Sequence, residues 1–444
     1  MTSSRPASLP SDRRSATVAL DKRHVWHPYT PMRRYIAETD PLVVARAEGP
    51  RLFDVDGRAY LDANSSWWVA ALGHCHPRIV AALRDQAGVL AHASLAGVTH
   101  ELAANLAAAL ASHAPRGLER VFFSDDGSTA LEVALKMVLG FHRAHGAPER
   151  TRFVSLRGAF HGETLGVTAL GGVELFRQAF ASVLMDVWFI PVPAEDEAED
   201  GPAALAAREL FERHGAEIAG VVIEPMVQGA TGMRIYPAWF VRLLRELSSA
   251  HGALLVDDEV FTGYGRTGPF WATAHAGVVP DIVATAKGLS GGMFPMAATL
   301  ANEAVFEAFL EPHGALYYGH SYCGNPLGAR VALEVLDVYR DEGVLEGIPA
   351  RAAKIADAFT ALARTRGTLR PRALGMIGAI DLSPDASYQG DLGWRVYAEA
   401  RRRGAYLRPL GDVVYVAPPM NIPIPDLEEL LAIVAASVKA VLEA

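Results

Sequence analysis

The amino-acid sequence predicts an α/β protein with a large, mostly parallel central sheet domain and a smaller domain formed from both chain ends. Short apolar runs typical of buried strands lie at residues 121–124, 152–156, 187–192, 220–225, 253–260 and 281–287. Longer periodic segments typical of helices lie between them, at residues 129–142, 203–214 and 237–250. Alternation of strands and helices indicates a parallel sheet with helices on both faces.

The chain ends differ in pattern from this central region. The 444 residues predict two or three domains at roughly 150 residues each. The expected parts are a flexible leader at 1–24, the N-terminal part of the smaller domain at 25–76, the large domain at 77–339 and the C-terminal part of the smaller domain at 340–444. The N-terminal part reads as a small antiparallel meander that turns at Asp56–Gly57. The C-terminal part ends in an amphipathic helix, Asp426 to Leu442.

The first 24 residues are rich in Arg, Ser and Pro and contain no apolar stretch. This composition excludes a secretory signal and favours a flexible leader, although Arg and Ser are also frequent in transit peptides.

Composition narrows the class of partner. Half of the residues are hydrophobic and 20% are charged, as in a globular protein with a large core. The net charge of −9 argues against a nucleic-acid partner, which needs clustered positive charge. No apolar run reaches the ~18 residues of a membrane span, so we expect no membrane partner. The two cysteines, Cys75 and Cys323, cannot form a disulfide framework, and a reducing, cytoplasmic location is expected.

Open α/β sheets bind ligands at the carboxyl ends of their strands. In this sequence, two motifs of small or acidic residues follow apolar runs at such positions. Gly127 and Ser128 follow the first strand and open a helix, which suits a phosphate, although such residues also serve as simple helix caps. Asp258 ends a later strand and could pair with a protonated ring nitrogen. Solvated loop residues or a metal site are the alternatives, but no His lies at ligand spacing, so no metal is predicted.

Lys287 follows the last of these strands and precedes Gly288 and a Gly-Gly pair. Most lysines face solvent, but small apolar neighbours can lower the pKa of a lysine and make it a nucleophile. Phe160 lies in the loop after another strand, where it could serve as a core aromatic or as a stacking platform for a flat ring.

Three further residues could line a pocket, although each could equally be structural. Trp67 belongs to a tryptophan pair whose members would point to opposite faces if the chain were extended. Tyr29 lies in a His-Pro-Tyr segment near the N-terminus. Arg408 follows a short apolar run, and its guanidinium could bind a carboxylate through two hydrogen bonds.

Taken in order, these signals resemble the fold-type I pyridoxal-phosphate enzymes. One long run is similar to the class III aminotransferase signature: residues 258–260, 263–268, 280–281 and 287–289. Within that class the chain most resembles the adenosylmethionine–8-amino-7-oxononanoate aminotransferases. That match includes residues 26–30, 65–68, 127–128, 132–137, 224–229, 324–327, 407–410 and 415–419.

The resemblance implies pyridoxal 5′-phosphate as cofactor and a homodimer with active sites at the interface. Lys287 would bond covalently to the cofactor and move a proton, and Asp258 would pair with the ring nitrogen. The cofactor-binding residues would further include Gly127 and Ser128 at the phosphate, Phe160 at the ring, and Ser321 at the phosphate from the neighbouring subunit.

The implied reaction moves an amino group from S-adenosylmethionine to 8-amino-7-oxononanoate, giving 7,8-diaminononanoate for biotin. The substrate would be bound by Tyr29, Trp67, Gly319 and Arg408. A broader ω-amino acid:pyruvate transaminase is the nearest alternative, followed by an aminomutase or racemase.

The sequence departs from the subfamily pattern at three places, and one of them bears on the identity of the amino donor. Phe160 stands where Tyr is common, Met420 stands where Tyr is common, and the phosphate loop reads His-Ser-Tyr at residues 320–322 where Pro-Thr-Phe is frequent. The third departure resembles a branch that uses lysine as amino donor, so lysine stays an alternative to S-adenosylmethionine.

Overall fold

The computed structural model describes residues 12–310 and 314–443. Its strands are β1 (Val44–Glu48), β2 (Arg51–Asp54), β3 (Ala59–Asp62), β4 (Arg120–Ser124), β5 (Arg152–Leu156), β6 (Val187–Ile190), β7 (Ile218–Ile223), β8 (Val227–Gln228), β9 (Arg234–Ile235), β10 (Leu254–Asp258), β11 (Ile282–Thr285), β12 (Ala297–Ala301), β13 (Leu369–Leu374), β14 (Ile377–Asp381), β15 (Ala405–Tyr406) and β16 (Val413–Val416).

The helices are α1 (Asp12–His24), α2 (Met32–Glu38), α3 (Ser65–Trp68), α4 (Pro77–Ala87), α5 (Glu101–His113), α6 (Gly127–Ala144), α7 (Leu165–Leu170), α8 (Glu174–Arg177), α9 (Pro202–His214), α10 (Ala238–Ala250), α11 (Glu303–Glu307), α12 (Pro326–Asp341), α13 (Ile348–Leu362), α14 (Leu392–Arg403) and α15 (Ile424–Leu442). The last of these contains the amphipathic C-terminal helix that the sequence predicts. No helix within the described ranges is long and apolar enough to cross a membrane.

A seven-stranded sheet forms the centre of the protein, with strand order β4-β12-β11-β10-β7-β5-β6. The five strands from β11 to β6 pair in parallel, which confirms the predicted α/β fold with a mostly parallel sheet. All six predicted strands are present. The sequence did not predict strand β12, because Ala-Ala-Thr-Leu-Ala has weak strand propensity. This strand runs antiparallel to both of its neighbours.

The strands at the middle of this sheet are buried on both faces. Every residue of β7, β10 and β11 is buried, as expected for a sheet between two helical layers. Helix α6 packs against β11 and β12 through residues such as Ala130 and Ala134, which are fully buried. Helices α9 and α10 contribute Phe211 and Phe240 to a separate apolar cluster that also contains β7 residues.

Both chain ends meet in a small four-stranded sheet of order β1-β2-β3-β15. Strands β1 to β3 form the predicted antiparallel meander, and β15 from the C-terminal part adds in parallel beside β3. A three-stranded antiparallel sheet, β13-β14-β16, lies in the same C-terminal part. The domain boundaries proposed from the sequence stay a prediction.

The leader expected at residues 1–24 differs from the structure in its second half. Residues 1–11 lie outside the described residues, whereas Asp12–His24 form helix α1. An ion pair between Arg14 and Asp40 (2.5 Å) and a bond from Lys22 Nζ to the Ile36 carbonyl (2.9 Å) join this helix to the next segment. The sequence did not predict this helix, because such long-range polar contacts have no periodic signature, and the flexibility of the leader stays a prediction.

Candidate active site

A cavity of about 460 Å³ lies at the carboxyl edge of the central sheet. The residues that follow β4, β5, β7, β10 and β11 all border it, because parallel strands end at the same edge. Sequence-predicted residues that line it are Gly127, Ser128, Phe160, Asp258 and Lys287. The sheet thus brings together side chains that are up to 160 residues apart in the chain.

Lys287 opens a short 3₁₀ turn directly after β11 and is partly exposed to the cavity. Its Nζ lies 4.7 Å from the centre of the Trp68 ring and 5.8 Å from that of Phe261. Burial of the ammonium group lowers the pKa of Lys287 to about 8, against the opposing effect of the Asp258 and Glu224 carboxylates. About a tenth of this amine is therefore neutral and nucleophilic at pH 7, far more than for an ordinary lysine.

Asp258 ends β10 and is held on both carboxylate oxygens. Its Oδ2 lies 2.7 Å from His161 Nδ1, and its Oδ1 accepts a bond from the Val260 amide (3.1 Å). Because both contacts orient the carboxylate, it can present an oxygen toward the cavity without rotating. His161 follows Phe160 in the sequence, but its pairing with Asp258 was not predicted, since the two residues are 97 positions apart.

The first turn of α6 borders the cavity near Asp125 and Asp126. Asp126 caps the helix: its side chain accepts the Thr129 amide, and the Thr129 hydroxyl contacts the Asp126 backbone in return. The other first-turn amides, at Gly127 and Ser128, have no intrahelical acceptor, as in every helix N-terminus. An 18-residue helix that points its N-terminus at the cavity favours an anionic group there.

Phe160 lines the cavity, and its amide donates to Glu224 Oε1 (3.0 Å). The other oxygen of Glu224 accepts the Gly229 amide (2.9 Å). Burial raises the pKa of Glu224 to about 7, with Asp258 adding to the rise. Glu224 therefore fixes the loop that carries Phe160, a role that the sequence reasoning did not detect.

Aromatic and basic side chains lie beside this cavity. The Tyr29 ring packs 5.6 Å from Trp67 and 6.5 Å from Phe160, and its hydroxyl donates to Glu163. The Arg408 guanidinium carbon lies 4.6 Å from the Trp67 ring centre. The structure therefore groups the three predicted residues Tyr29, Trp67 and Arg408, although none of them is a lining residue of the cavity itself.

The tryptophan pair is not extended, so the opposite faces that an extended pair would have do not arise here. All four residues of α3, Ser65–Trp68, have positive φ, so the turn is left-handed. Trp68 is buried next to Lys287, while Trp67 is partly exposed next to Arg408. Additional aromatic residues missed from the sequence are Phe176 and Tyr388, whose rings pack 5.1 Å apart.

Gly319 and Ser321 lie in an exposed loop and are not among the cavity-lining residues of this chain. The intervening His320 pairs with Asp125, which does border the cavity (3.2 Å). The prediction that Ser321 reaches the phosphate of a neighbouring subunit concerns a second chain and stays a prediction. Within the described part of the chain, no cluster of three or more His, Cys, Asp or Glu side chains is arranged to hold a metal.

Asp257, the neighbour of Asp258, points away from the cavity because successive strand residues face opposite sides. It is fully buried, and neither carboxylate oxygen has a hydrogen-bond partner among the described residues. Burial, together with the nearby Glu259 carboxylate, raises the pKa of Asp257 well above its usual range. Between its ordinary pKa of about 4 and the raised pKa in the folded protein, Asp257 is protonated in the folded state and ionised in the unfolded chain.

We expect this proton to make folding stability fall as pH rises above about 4, and Asp257→Asn to remove that part of the dependence. The difference in unfolding free energy between variant and wild type should grow toward higher pH by up to about 1.4 kcal/mol per pH unit. Urea unfolding at pH 5, 6.5 and 8 measures it. A difference that stays constant with pH would contradict protonation of Asp257 in the folded state.

The fold and the site together define a class of enzyme. A lysine amine, an oriented carboxylate, an aromatic ring and a helix N-terminus around one cavity match the aldehyde, ring nitrogen, flat ring and phosphate of pyridoxal phosphate. This donor set, in a cavity of about 460 Å³, fits the cofactor. The architecture is that of the fold-type I enzymes that depend on it.

Comparison with known proteins shows which family of pyridoxal-phosphate enzymes the chain belongs to. The aminotransferase class-III family matches residues 35–438, and the chain belongs to this family of pyridoxal-phosphate-dependent aminotransferases. It is 39% identical to the adenosylmethionine-8-amino-7-oxononanoate aminotransferase of Geobacter sulfurreducens, over 93% of this chain and 94% of that protein. It is 41% identical to the enzyme of the same name from Synechococcus elongatus, over 93% and 97%.

A solved structure agrees with these relatives. The crystal structure of adenosylmethionine-8-amino-7-oxononanoate aminotransferase from Methanocaldococcus jannaschii superposes with a TM-score of 0.92 at 31% identity. The match covers 96% of this chain and 99% of that one.

Proposed function

We propose that this aminotransferase moves an amino group to 8-amino-7-oxononanoate, giving 7,8-diaminononanoate for biotin biosynthesis. The observation that carries the proposal is the Arg408 guanidinium over the Trp67 ring, which packs against Tyr29. Tyr29 in turn contacts Phe160 of the cavity that contains Lys287. The near-full-length similarity to relatives with this named activity supports it. The amino donor is S-adenosylmethionine, with lysine as the alternative.

The catalytic groups are Lys287 and Asp258. When bound, pyridoxal phosphate supplies an electron-withdrawing ring that accepts an amino group from one substrate and delivers it to the next. Lys287 Nζ would hold the cofactor covalently and would carry protons at the reacting carbon, and the pKa of about 8 of its free amine favours both roles. Asp258, held by His161, keeps the ring nitrogen protonated.

The remaining cofactor contacts divide between ring and phosphate. Phe160 stacks on the ring, where it lacks the hydroxyl of the more common Tyr. Gly127 and Ser128 bind the phosphate through the first-turn amides of α6. Ser321 and Gly319 complete the site from a second subunit of a homodimer. Their exposure in a single chain, next to the exposed rings of Tyr317 and Tyr322, supports this part.

The acceptor is recognised at its far end. 8-Amino-7-oxononanoate carries a carboxylate that a flexible methylene chain separates from the reacting carbonyl. Arg408 offers a planar, two-bond match to a carboxylate, and lysine does not. Tyr29 and Trp67 form apolar walls for the methylene chain next to that guanidinium.

A donor screen with 8-amino-7-oxononanoate as acceptor tests the proposal. S-adenosylmethionine, lysine and alanine are compared, with pyruvate as the competing acceptor and a reaction without acceptor as blank. We expect 7,8-diaminononanoate with one of the first two donors. Faster transfer to pyruvate would favour a general ω-transaminase, and turnover without any acceptor would favour an aminomutase or racemase.

Arg408→Ala is expected to weaken the half-reaction with 8-amino-7-oxononanoate by about 2–3 kcal/mol, the scale of a hydrogen bond to a charged group. The donor half-reaction should change less, because S-adenosylmethionine has a long body that other contacts can hold. Single-turnover absorbance changes of the cofactor follow each half separately.

Arg46→Ala is the matched control, since that guanidinium also stacks on an aromatic ring (Phe53, 3.5 Å) but does so on an exposed strand away from the cavity. It should change neither half-reaction. An equal loss in both half-reactions of Arg408→Ala would show that the residue is not a dedicated anchor for the keto acid.

The quaternary structure and location are proposed on the same basis. Sedimentation or light scattering should give twice the chain mass if the enzyme is a homodimer. A cytoplasmic location is supported by the two cysteines, Cys75 and Cys323, which are both free thiols. Fractionation of the source cells tests it.

A further inference from the structure

The left-handed turn α3 is unusual because it contains no glycine. The φ angles of Ser65, Ser66, Trp67 and Trp68 are 47°, 45°, 63° and 75°. Residues with a Cβ atom disfavour this region, and a run of four requires strong support from the surrounding structure. Strain of this kind concentrates at functional sites, and here the turn carries both tryptophans that contact Arg408 and Lys287.

Asp62 supplies that support from the end of β3. Its side chain is completely buried. Oδ1 accepts the Asn64 amide (3.0 Å), while Oδ2 accepts the Ser66 amide (2.7 Å) and lies 3.2 Å from the Ser66 hydroxyl and 2.9 Å from His74 Nε2. The Asp62 carboxylate thus accepts hydrogen bonds from Asn64, which precedes the turn, and from Ser66, the second residue of the turn.

The turn is also joined to the strand region that contains Arg408. Asn64 Oδ1 accepts the Arg408 amide (2.5 Å), and the Ser65 hydroxyl donates to the Ala417 carbonyl (2.8 Å). The indole N–H of Trp68 donates to the Tyr415 hydroxyl (3.2 Å). A change in the turn would therefore move Trp67 relative to Arg408, although Asp62 itself touches neither residue in these contacts.

We propose that Asp62 is a positioning residue for the acceptor site: by holding the left-handed turn it keeps the Trp67 ring under Arg408 and so orients the guanidinium toward the substrate carboxylate. The proposal rests on the acceptor site proposed above. The carboxylate is needed because each of its two oxygens accepts a backbone N–H, from Asn64 and from Ser66, and an amide in its place would direct its own N–H at one of them.

The chain contains a matched control in Asp54. Its Oδ1 accepts the amides of Asp56 (3.0 Å) and Arg58 (2.8 Å), at the same two spacings as in the Asp62 turn, and its Oδ2 accepts the Tyr60 hydroxyl (2.9 Å). Asp54 is also buried, at the end of the neighbouring strand β2. Its turn contributes no residue to the cavity.

The experiment compares Asp62→Asn, Asp54→Asn and Arg408→Ala holoenzymes. Nonanoate serves as probe because it has the carboxylate and the methylene chain but no reacting carbonyl, and calorimetry gives its dissociation constant. Near-ultraviolet circular dichroism reports the tryptophan environment, and thermal unfolding reports stability. We expect Asp62→Asn to raise the dissociation constant about ten-fold, a loss typical of a displaced charged contact, and to change the tryptophan signal. Asp54→Asn should change only the stability.

The possible results separate the two proposals. If Arg408→Ala weakens nonanoate binding but Asp62→Asn and Asp54→Asn have equal effects, the positioning role is wrong and the acceptor site stands. If Arg408→Ala leaves binding unchanged, the acceptor site is wrong and the positioning role falls with it. Should Asp62→Asn not fold, Asn64→Ala removes the bond that joins the turn to the Arg408 amide and keeps the backbone N–H that Asp62 accepts, and unchanged nonanoate binding in that variant would likewise overturn the proposal.

Discussion

Lys287→Ala is expected to lower turnover by about four orders of magnitude or more, because it removes a covalent cofactor bond and a proton carrier together. Borohydride treatment of the wild type followed by peptide mapping should label Lys287 alone. The matched control is Lys354→Ala, which removes a lysine that pairs with Glu428 on the surface (2.5 Å). That variant should keep its activity, and label on another lysine would refute the assignment.

The lowered pKa of Lys287 adds a pH dependence to this result. Its value of about 8 means that the neutral amine becomes more abundant as pH rises toward 8 and saturates above it. Covalent attachment of pyridoxal phosphate to the cofactor-free protein should therefore accelerate over the same range and then level off. A rate that keeps rising to about pH 10 would indicate an ordinary lysine.

Asp258→Asn is the second large effect, with turnover expected to fall by about three orders of magnitude while the cofactor stays bound. An amide cannot stabilise a proton on the ring nitrogen, so the ring withdraws electrons less strongly. The cofactor absorbance of the purified variant checks binding, and steady-state kinetics checks the loss.

Asp257→Asn is the control for this substitution, since the two aspartates are adjacent in β10 but face opposite sides of the sheet. It makes the same chemical change at a buried position that does not border the cavity. Activity should stay within about three-fold of the wild type, as expected for a change remote from the reacting atoms. Equal losses in the two variants would mean that both act through folding.

The sequence predicted the residues that lie at the ends of strands. Asp258 and Lys287 interrupt apolar runs at strand ends, and the parallel sheet brings those ends to one edge. Leader residues 12–24 and strand β12 were not predictable, since a helix joined by distant polar contacts and an alanine-rich strand have no strong local pattern.

The partners of the site residues were also hidden in the sequence. No local sequence pattern marks the residues that hold the site in place. These are His161, which pairs with Asp258, Glu224, which accepts the Phe160 amide, and Asp62, which accepts amides of the tryptophan turn. The local pattern around Trp67 gave no sign of a left-handed turn. A left-handed turn of four residues opposes local preference, and here hydrogen bonds to Asp62 and to the distant residues Tyr415 and Ala417 stabilise it.

The sequence by itself determined the alternation of strands and helices, the mostly parallel sheet and the strand-end lysine and aspartate, because periodicity and apolar runs are local properties. Only the tertiary structure decided that Arg408 stacks on Trp67, that Asp62 supports the turn that carries Trp67, and that Asp257 is completely buried. Those contacts depend on sheet order and on the joining of both chain ends in one small sheet, and residues more than 300 positions apart meet only when the whole chain has folded.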